Sequence, residues 1–251
     1  MKYAGLLSYV GTNFSGFQRQ ENGRTVQGEL EKELSFLMGT PTSIKAAGRT
    51  DAKVSAEGQV FSFLSERKLN VPYFLMQLNR RLPSEMAVNK LIEVPDSFDP
   101  RHSAVAKEYV YRFYLGQKDP FKKDRYARFR EETFDFQTFK AVLQGFLGTH
   151  DFSNYTSKKE DKDDFIRTVE RIDATFDEEK KEGEILFRAN GFMTYQIRYM
   201  VGMAYDVCVK RKTMEEAMGL LNKKPRTVVS TKAPAEGLCL RRVIYDEKVG
   251  L

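Results

Sequence analysis

Tryptophan is absent from these 251 residues, and cysteine and histidine occur only twice each. Cys208 and Cys239 have no metal-ligand spacing around them, which excludes a disulfide framework and a cysteine-based zinc site and leaves free thiols of a cytoplasmic chain. His102 and His150 stand far apart, not as a metal-binding pair, and read as structural or contact residues rather than catalytic bases. No GxSxG, P-loop, GxGxxG or HExxH run occurs, so the serine-hydrolase, nucleotide-triphosphate, Rossmann and zinc-protease signatures are missing. Long apolar runs are missing too. Val71-Pro72-Tyr73-Phe74-Leu75-Met76 falls far short of a membrane span, and the opening MKYAGLLSYVG alternates like a strand rather than a secretory signal. No internal repeat or low-complexity tract is detectable.

What is present fits a folded protein: 41% hydrophobic and 30% charged residues, at a length able to bury a sizeable core as one large domain or two small ones. The formal charge is +6 and the pI about 9.1. Lys118, Lys122, Lys123, Arg125, Arg128 and Arg130 crowd one stretch, interleaved with Phe121, Tyr126 and Phe129. Lys210, Arg211, Lys212, Lys223, Lys224 and Arg226 form a second group. A solvated face would explain either cluster alone. Two clusters on a basic chain favour a polyanion with exposed bases, because cations meet phosphates and rings stack on bases.

The pattern along the chain mixes strands and helices. Residues 2–10 alternate as a strand, and 11–24 form a Gly-, Asn- and Ser-rich loop. Val26, Leu30, Leu34, Leu37 and Met38 recur at helical spacing, with Thr25 as N-cap and Gly39 as stop. A short strand at 43–47, a strand at 60–64, a helix at 71–82 ended by Pro83 and a strand at 87–94 complete the first half. The second half reads as a strand at 106–115, a helix at 136–146, strands at 167–176 and 184–189, and helices at 195–211 and 214–222. Strand, helix, strand, strand, helix in each half predicts an α+β chain of two ferredoxin-like units with mainly antiparallel sheets, the seam falling at 96–101. The expected halves are 1–98 and 99–251.

One turn stands out for chemistry. Gly48-Arg49-Thr50-Asp51-Ala52 follows a short apolar segment and precedes an alternating one, so a single acid sits between two expected strands. For an arbitrary aspartate, an Asx-type turn or a helix cap would be explanation enough.

The surrounding run overturns that bland reading. YVGTNFSGFQRQ, TVQGELEKEL, AAGRTDAKVSA, HSAVAKEYVYRFY, GTHDFSNYT with RTVERI, FRANGFMTYQIRYMVG and APAEGLCLRRV follow one another in the order seen in the TruA family of tRNA pseudouridine synthases, and the chain resembles that family over nearly its whole length. The resemblance implies a pseudouridine synthase fold, its two ferredoxin-like (RRM-like) halves forming a basic cleft. It also implies isomerisation of uridine in the anticodon stem-loop of tRNA around positions 38 to 40, with no metal or organic cofactor, in a homodimer whose two subunits both contact the tRNA. Carried over residue by residue, the catalytic aspartate falls on Asp51, the tyrosine that stacks on the target base on Tyr109, and the arginine that pairs with the aspartate on Arg198. Arg19 and Arg49 fall where the family approaches the RNA backbone, and Lys53, Lys122, Lys123 and Arg125 are further RNA-binding candidates. The resemblance thus assigns the catalytic loop to the first half and the dimer and tRNA contacts to the second. A carboxylate can attack C1′ or C6, or take a proton from C2′ and pass through a glycal.

The chain departs from the family pattern in three places. The family loop usually reads GRTDAGVHA; here Lys53 replaces the glycine and Ser55 the histidine. The usual GWQ is Gly16-Phe17-Gln18. A glycine there suits a backbone angle that a side chain disfavours, so the Lys53 loop is expected either to sit differently or to gain a phosphate contact. The competing readings are a non-catalytic RNA-binding protein, a paralogue modifying another RNA, and a metal-free RNA hydrolase, which lacks a second carboxylate or histidine near Asp51.

Overall fold

A computed structural model of the chain describes residues 1–130, 134–157, 165–224, 226–227, 229 and 231–250. It falls into two compact units, Met1–Ala106 with Cys239–Leu251, and Lys107–Leu238.

The first unit contains β1 (Lys2–Tyr9), α1 (Val26–Met38), β2 (Lys45–Ala46), β3 (Ser55–Leu64), α2 (Val71–Arg81) and β4 (Met86–Val94). β4, β1, β3 and β2 pair antiparallel in that order, which is the ferredoxin-like βαββαβ arrangement. Local chemistry sets the helix ends. The Thr25 hydroxyl accepts the Gly28 N–H at 3.2 Å, and Gly39, at φ 74°, ends α1 in the left-handed conformation. Asn70 caps α2 through the Tyr73 N–H, Pro72 sits in the first turn, and Pro83 forbids continuation past Leu82. Tyr3, Leu7, Leu30, Leu34, Phe61 and Leu78 are fully buried between helices and sheet. β3 begins five residues before the alternation suggested, and its extra length holds a bulge. Leu7 faces Gln59 but Tyr9 faces Ala56, so β3 carries one more residue than β1 across that step.

The second unit contains β5 (Ala106–Leu115), β6 (Ala127–Phe129), α3 (Phe136–Gln144), β7 (Gly148–Asp151), β8 (Ile166–Asp177), β9 (Glu182–Ala189), α4 (Gln196–Cys208) and α5 (Met214–Gly219). β5, β9, β8 and β7 pair antiparallel in that order, and β6 adds parallel to β5. The core is aromatic: the Phe113 ring lies 5.1 Å from Phe129, 5.5 Å from Phe139 and 6.0 Å from Phe176, centroid to centroid. α4 is buried almost all round, as a helix packed on several sides must be.

The expected halves, 1–98 and 99–251, differ from these units at both ends of the second. Residues 99–106 and 239–251 belong with the first unit. The reason is β10 (Leu238–Ile244), which pairs parallel with β3, Cys239 opposite Ser55 and Leu240 opposite Ala56. Tyr245 adds its ring against Phe98 and its hydroxyl to the Pro100 carbonyl at 2.7 Å.

Candidate active site

Asp51 is half-buried in the connection between β2 and β3. Its carbonyl accepts the Val54 N–H at 3.1 Å, closing a tight turn over Ala52 and Lys53. Lys53 occupies the third position at φ 67°, where such turns favour glycine. The lysine therefore keeps a left-handed backbone, and the loop bears the strain. On the N-terminal side the buried Thr50 is fixed twice: its hydroxyl is 2.7 Å from the Tyr9 hydroxyl, and its carbonyl accepts the Phe17 N–H at 3.0 Å. Gln59 reaches back from the β3 bulge to the Gly48 carbonyl at 3.0 Å. Burial pushes the Tyr9 hydroxyl well above its ordinary pKa, against hydrogen bonds to Thr50 and Gln59, so it stays a neutral partner.

The loop after β1 packs against this turn. Gly11 lies so close to the Val54 carbonyl that a side chain would collide with it, and its N–H donates to the Ser55 hydroxyl at 3.0 Å. The serine found in place of the family histidine thus satisfies a buried backbone donor. Gly16, at φ 108°, lets the chain pass Thr50 and Ala52, and Phe17 is buried beside Tyr9 with ring centroids 6.3 Å apart. Glu85 clamps the loop. Its carbonyl accepts the Val10 N–H at 2.9 Å, and its carboxylate accepts from Arg24 at 3.1 Å and Asn13 at 3.3 Å. The Arg24 hydrogen bond, with help from its own backbone N–H and from Asn13, draws the Glu85 carboxyl down to about 2.

In the second unit Tyr109 is a buried residue of β5, its ring edge-on to Phe192 at 5.4 Å. Arg198 is buried on α4. Its Nε donates to the Ala233 carbonyl at 2.8 Å, and the Ala233 N–H donates back to the Arg198 carbonyl at 2.9 Å. The next residue binds the other element: the Tyr111 hydroxyl of β5 donates to the Pro234 carbonyl at 3.0 Å. Residues 233–234 thereby tie the strand of Tyr109 to the helix of Arg198. Burial pushes the Tyr111 hydroxyl well up against the pull of Arg198, keeping it a donor.

The segment preceding residues 233–234 is held by the SNYT motif. The buried Asn154 amide donates to the Leu220 carbonyl at 2.8 Å and the Lys223 carbonyl at 3.2 Å, and accepts the Thr227 N–H at 2.5 Å. Arg226 returns to the Ser153 and Thr156 carbonyls, and the Thr156 hydroxyl donates to the Thr194 carbonyl at 3.0 Å, two residues before α4.

Among the cations singled out for RNA, Arg19 is exposed and lies 3.5 Å from Glu31. Arg49, Lys53, Lys123 and Arg125 are exposed. Lys122 is half-buried, its ammonium 2.8 Å from Glu182 and 5.0 Å from the centre of the Tyr114 ring. Both histidines serve local structure. His102 Nδ1 is 3.1 Å from Asp99, and His150 Nε2 is 2.8 Å from the Leu147 carbonyl. Among the described residues no three His, Cys, Asp or Glu side chains cluster as metal ligands, and no helix is long and apolar enough to cross a membrane. Sequence reading missed Tyr9, Gln59, Glu85 and Asn154. The one signal in the sequence was the GTHDFSNYT segment, which contains Asn154.

The tRNA pseudouridine synthase family model matches residues 6–103 and 142–246, segments that contain Asp51 and Arg198, with Tyr109 between them. A tRNA pseudouridine synthase A of Anoxybacillus flavithermus is 37% identical over 244 residues, covering 96% of this chain and 97% of that one. Those of Streptococcus mutans and Staphylococcus aureus are each 34% identical, covering 98% and 96% of this chain and 100% and 90% of theirs. A solved H/ACA ribonucleoprotein bound to a substrate RNA containing 2′-deoxyuridine is 14% identical, covers 98% of this chain and 50% of that one, and has a TM-score of 0.42. The last likeness is too low to bear on chemistry. The fold is α+β, and the family is one of isomerases. The chain belongs to the tRNA pseudouridine synthase family.

Proposed function

We propose that the chain isomerises uridine to pseudouridine in the anticodon stem-loop of tRNA, at positions 38, 39 and/or 40. Family membership supplies the reaction class. The observation that carries the reading to this chain is the Asp51 turn, a half-buried carboxylate tied to β1 through Tyr9–Thr50, to β3 through Gln59–Gly48 and to the preceding loop through Phe17–Thr50. A turn whose backbone is held in this way fixes the point from which the Asp51 side chain meets the substrate.

The reaction breaks the C1′–N1 bond, turns the uracil and joins C5 to C1′. The proton leaves C5 and N1 gains one, so the product is an isomer and no co-reactant is consumed. Asp51 is the catalytic carboxylate, as nucleophile or as base toward C2′. Arg198 pairs with Asp51 and favours its ionised form; the Ala233 carbonyl on Nε sets the plane of the guanidinium. Tyr109 stacks on the uracil and assists proton loss from C5. The target must leave its stack to be reached, and Arg19, Arg49, Lys53, Lys123 and Arg125 hold the RNA backbone. The protein acts in the cytoplasm as a homodimer, with no cofactor.

The test is to map pseudouridine on unmodified tRNA transcripts by carbodiimide treatment and primer extension, for the wild type and for Asp51→Ala. Pseudouridine at one or more of positions 38–40 with the wild type alone, and tRNA binding by both, is the expected result. Modification elsewhere would assign a different RNA target. Binding without any product would leave an RNA-binding protein, and chain cleavage a hydrolase.

A further inference from the structure

Phe121 is 98% exposed, the most exposed of the large apolar side chains described. It lies on the turn between β5 and β6, and that turn is built rather than loose. The Asp119 carboxylate accepts the Phe121 N–H at 2.8 Å, the Asp119 N–H donates to the Tyr114 hydroxyl at 3.1 Å, and the Tyr126 N–H donates to the Lys122 carbonyl at 3.0 Å. Arg128 secures the near end through the Gly116 carbonyl at 2.7 Å. Beneath the turn, the space over the Tyr114 ring is filled by Lys122, held by Glu182. An apolar ring gains free energy by leaving water. Here the lysine is tucked in and the phenylalanine is held out.

Lys118, Lys123 and Arg125 are exposed on the same turn. These cations, which with Lys122 outnumber the Asp119 and Asp124 carboxylates of the turn, suit neither an apolar protein partner nor a second copy of this turn, where the net like charge would repel. They suit a ligand that offers flat apolar faces along an anionic chain. We propose that Phe121 is a stacking post for an unstacked base of the RNA substrate, with Lys118 and Lys123 contacting the flanking phosphates. The inference rests on the RNA-modifying reading above and revises the role of the basic cluster: Lys122 builds the turn, and the residue beside it makes the contact.

Phe121→Ala, Phe121→Trp and the Lys118→Ala/Lys123→Ala pair test it, each assayed for tRNA affinity across a salt series, for pseudouridine kcat and KM, and for sedimentation. Loss of one base stack weakens binding about 5- to 150-fold. Phe121→Ala is expected to raise Kd and KM by that factor while leaving kcat and the salt dependence unchanged, and Phe121→Trp to restore affinity. The lysine pair is expected to flatten the salt dependence, by about 0.7 in the logarithmic slope for each single-strand phosphate no longer neutralised. Wild-type Kd and KM in Phe121→Ala would overturn the proposal, as would a change from dimer to monomer, which would make the ring a self-association surface. If the wild type makes no pseudouridine and Phe121→Ala still weakens tRNA binding, the reaction assigned above fails and the stacking post stands.

Discussion

Lys53 bears a cost that a glycine would not. A side chain in the left-handed region is strained by about 1–2 kcal/mol, and this one sits two residues after Asp51. Lys53→Gly removes that strain but frees the unfolded chain. Urea denaturation is therefore expected to show stability unchanged or raised by no more than about 1 kcal/mol, while tRNA affinity falls with the lost charge. A β-branched residue such as Lys53→Val is expected to lower stability instead. Tyr9 makes the complementary case. Tyr9→Phe takes from the buried Thr50 hydroxyl the partner it has at 2.7 Å, which costs about 1–3 kcal/mol, and it loosens the turn, so kcat is expected to fall more than KM rises. Little of this was legible beforehand. The sequence marks Asp51 as an acid in a turn and suggests that glycine suits position 53; the service of Tyr9 and Gln59 depends on the β3 bulge, a long-range register that leaves no local trace.

Among the elements, the loop from Gly11 to Arg24 depends on Glu85. The carboxyl titrates at about 2 in the folded protein against an ordinary 4.5. A lowered folded pKa contributes stability that is fully present above the unfolded value and is lost as pH falls through the folded one. The stability difference between wild type and Glu85→Gln, measured by urea denaturation, is expected to be constant near neutrality and to shrink as pH drops from 4.5 toward about 2. The exposure of this carboxylate keeps the difference small. Asn154 is expected to matter more, since its buried amide serves three backbone groups. Asn154→Ala should cost about 2–4 kcal/mol and release the segment that leads to the Arg198 anchor. The helices with caps and stops, α1 and α2, were readable to within a residue because their end signals are local. β6, β7 and β10 were not, because short strands owe their existence to partners distant in the sequence.

For the whole molecule, β10 decides the domain boundary. Deleting residues 239–251 removes the parallel partner of β3, the Tyr245–Phe98 ring pair and the Ile244 carbonyl that accepts the Val105 N–H at 2.8 Å. Hydrogen exchange is expected to show reduced protection in β3 and around Phe98, with β8, β9 and α4 retaining theirs. Alternation and spacing along the chain divided it at 96–101 because nothing local indicates that the last strand returns to the first. The net charge of +6, by contrast, is legible at a glance and sets an expectation for binding: tRNA affinity should fall steeply with salt.

The role of Asp51 is tested most directly by tritium release from tRNA carrying [5-³H]uridine in single-turnover reactions, comparing the wild type with Asp51→Asn. The amide keeps the shape of the carboxylate and removes its charge. The expected result is rapid release by the wild type and none above background by the variant, with tRNA affinity preserved. Release by Asp51→Asn at the wild-type rate would show that the chemistry lies elsewhere.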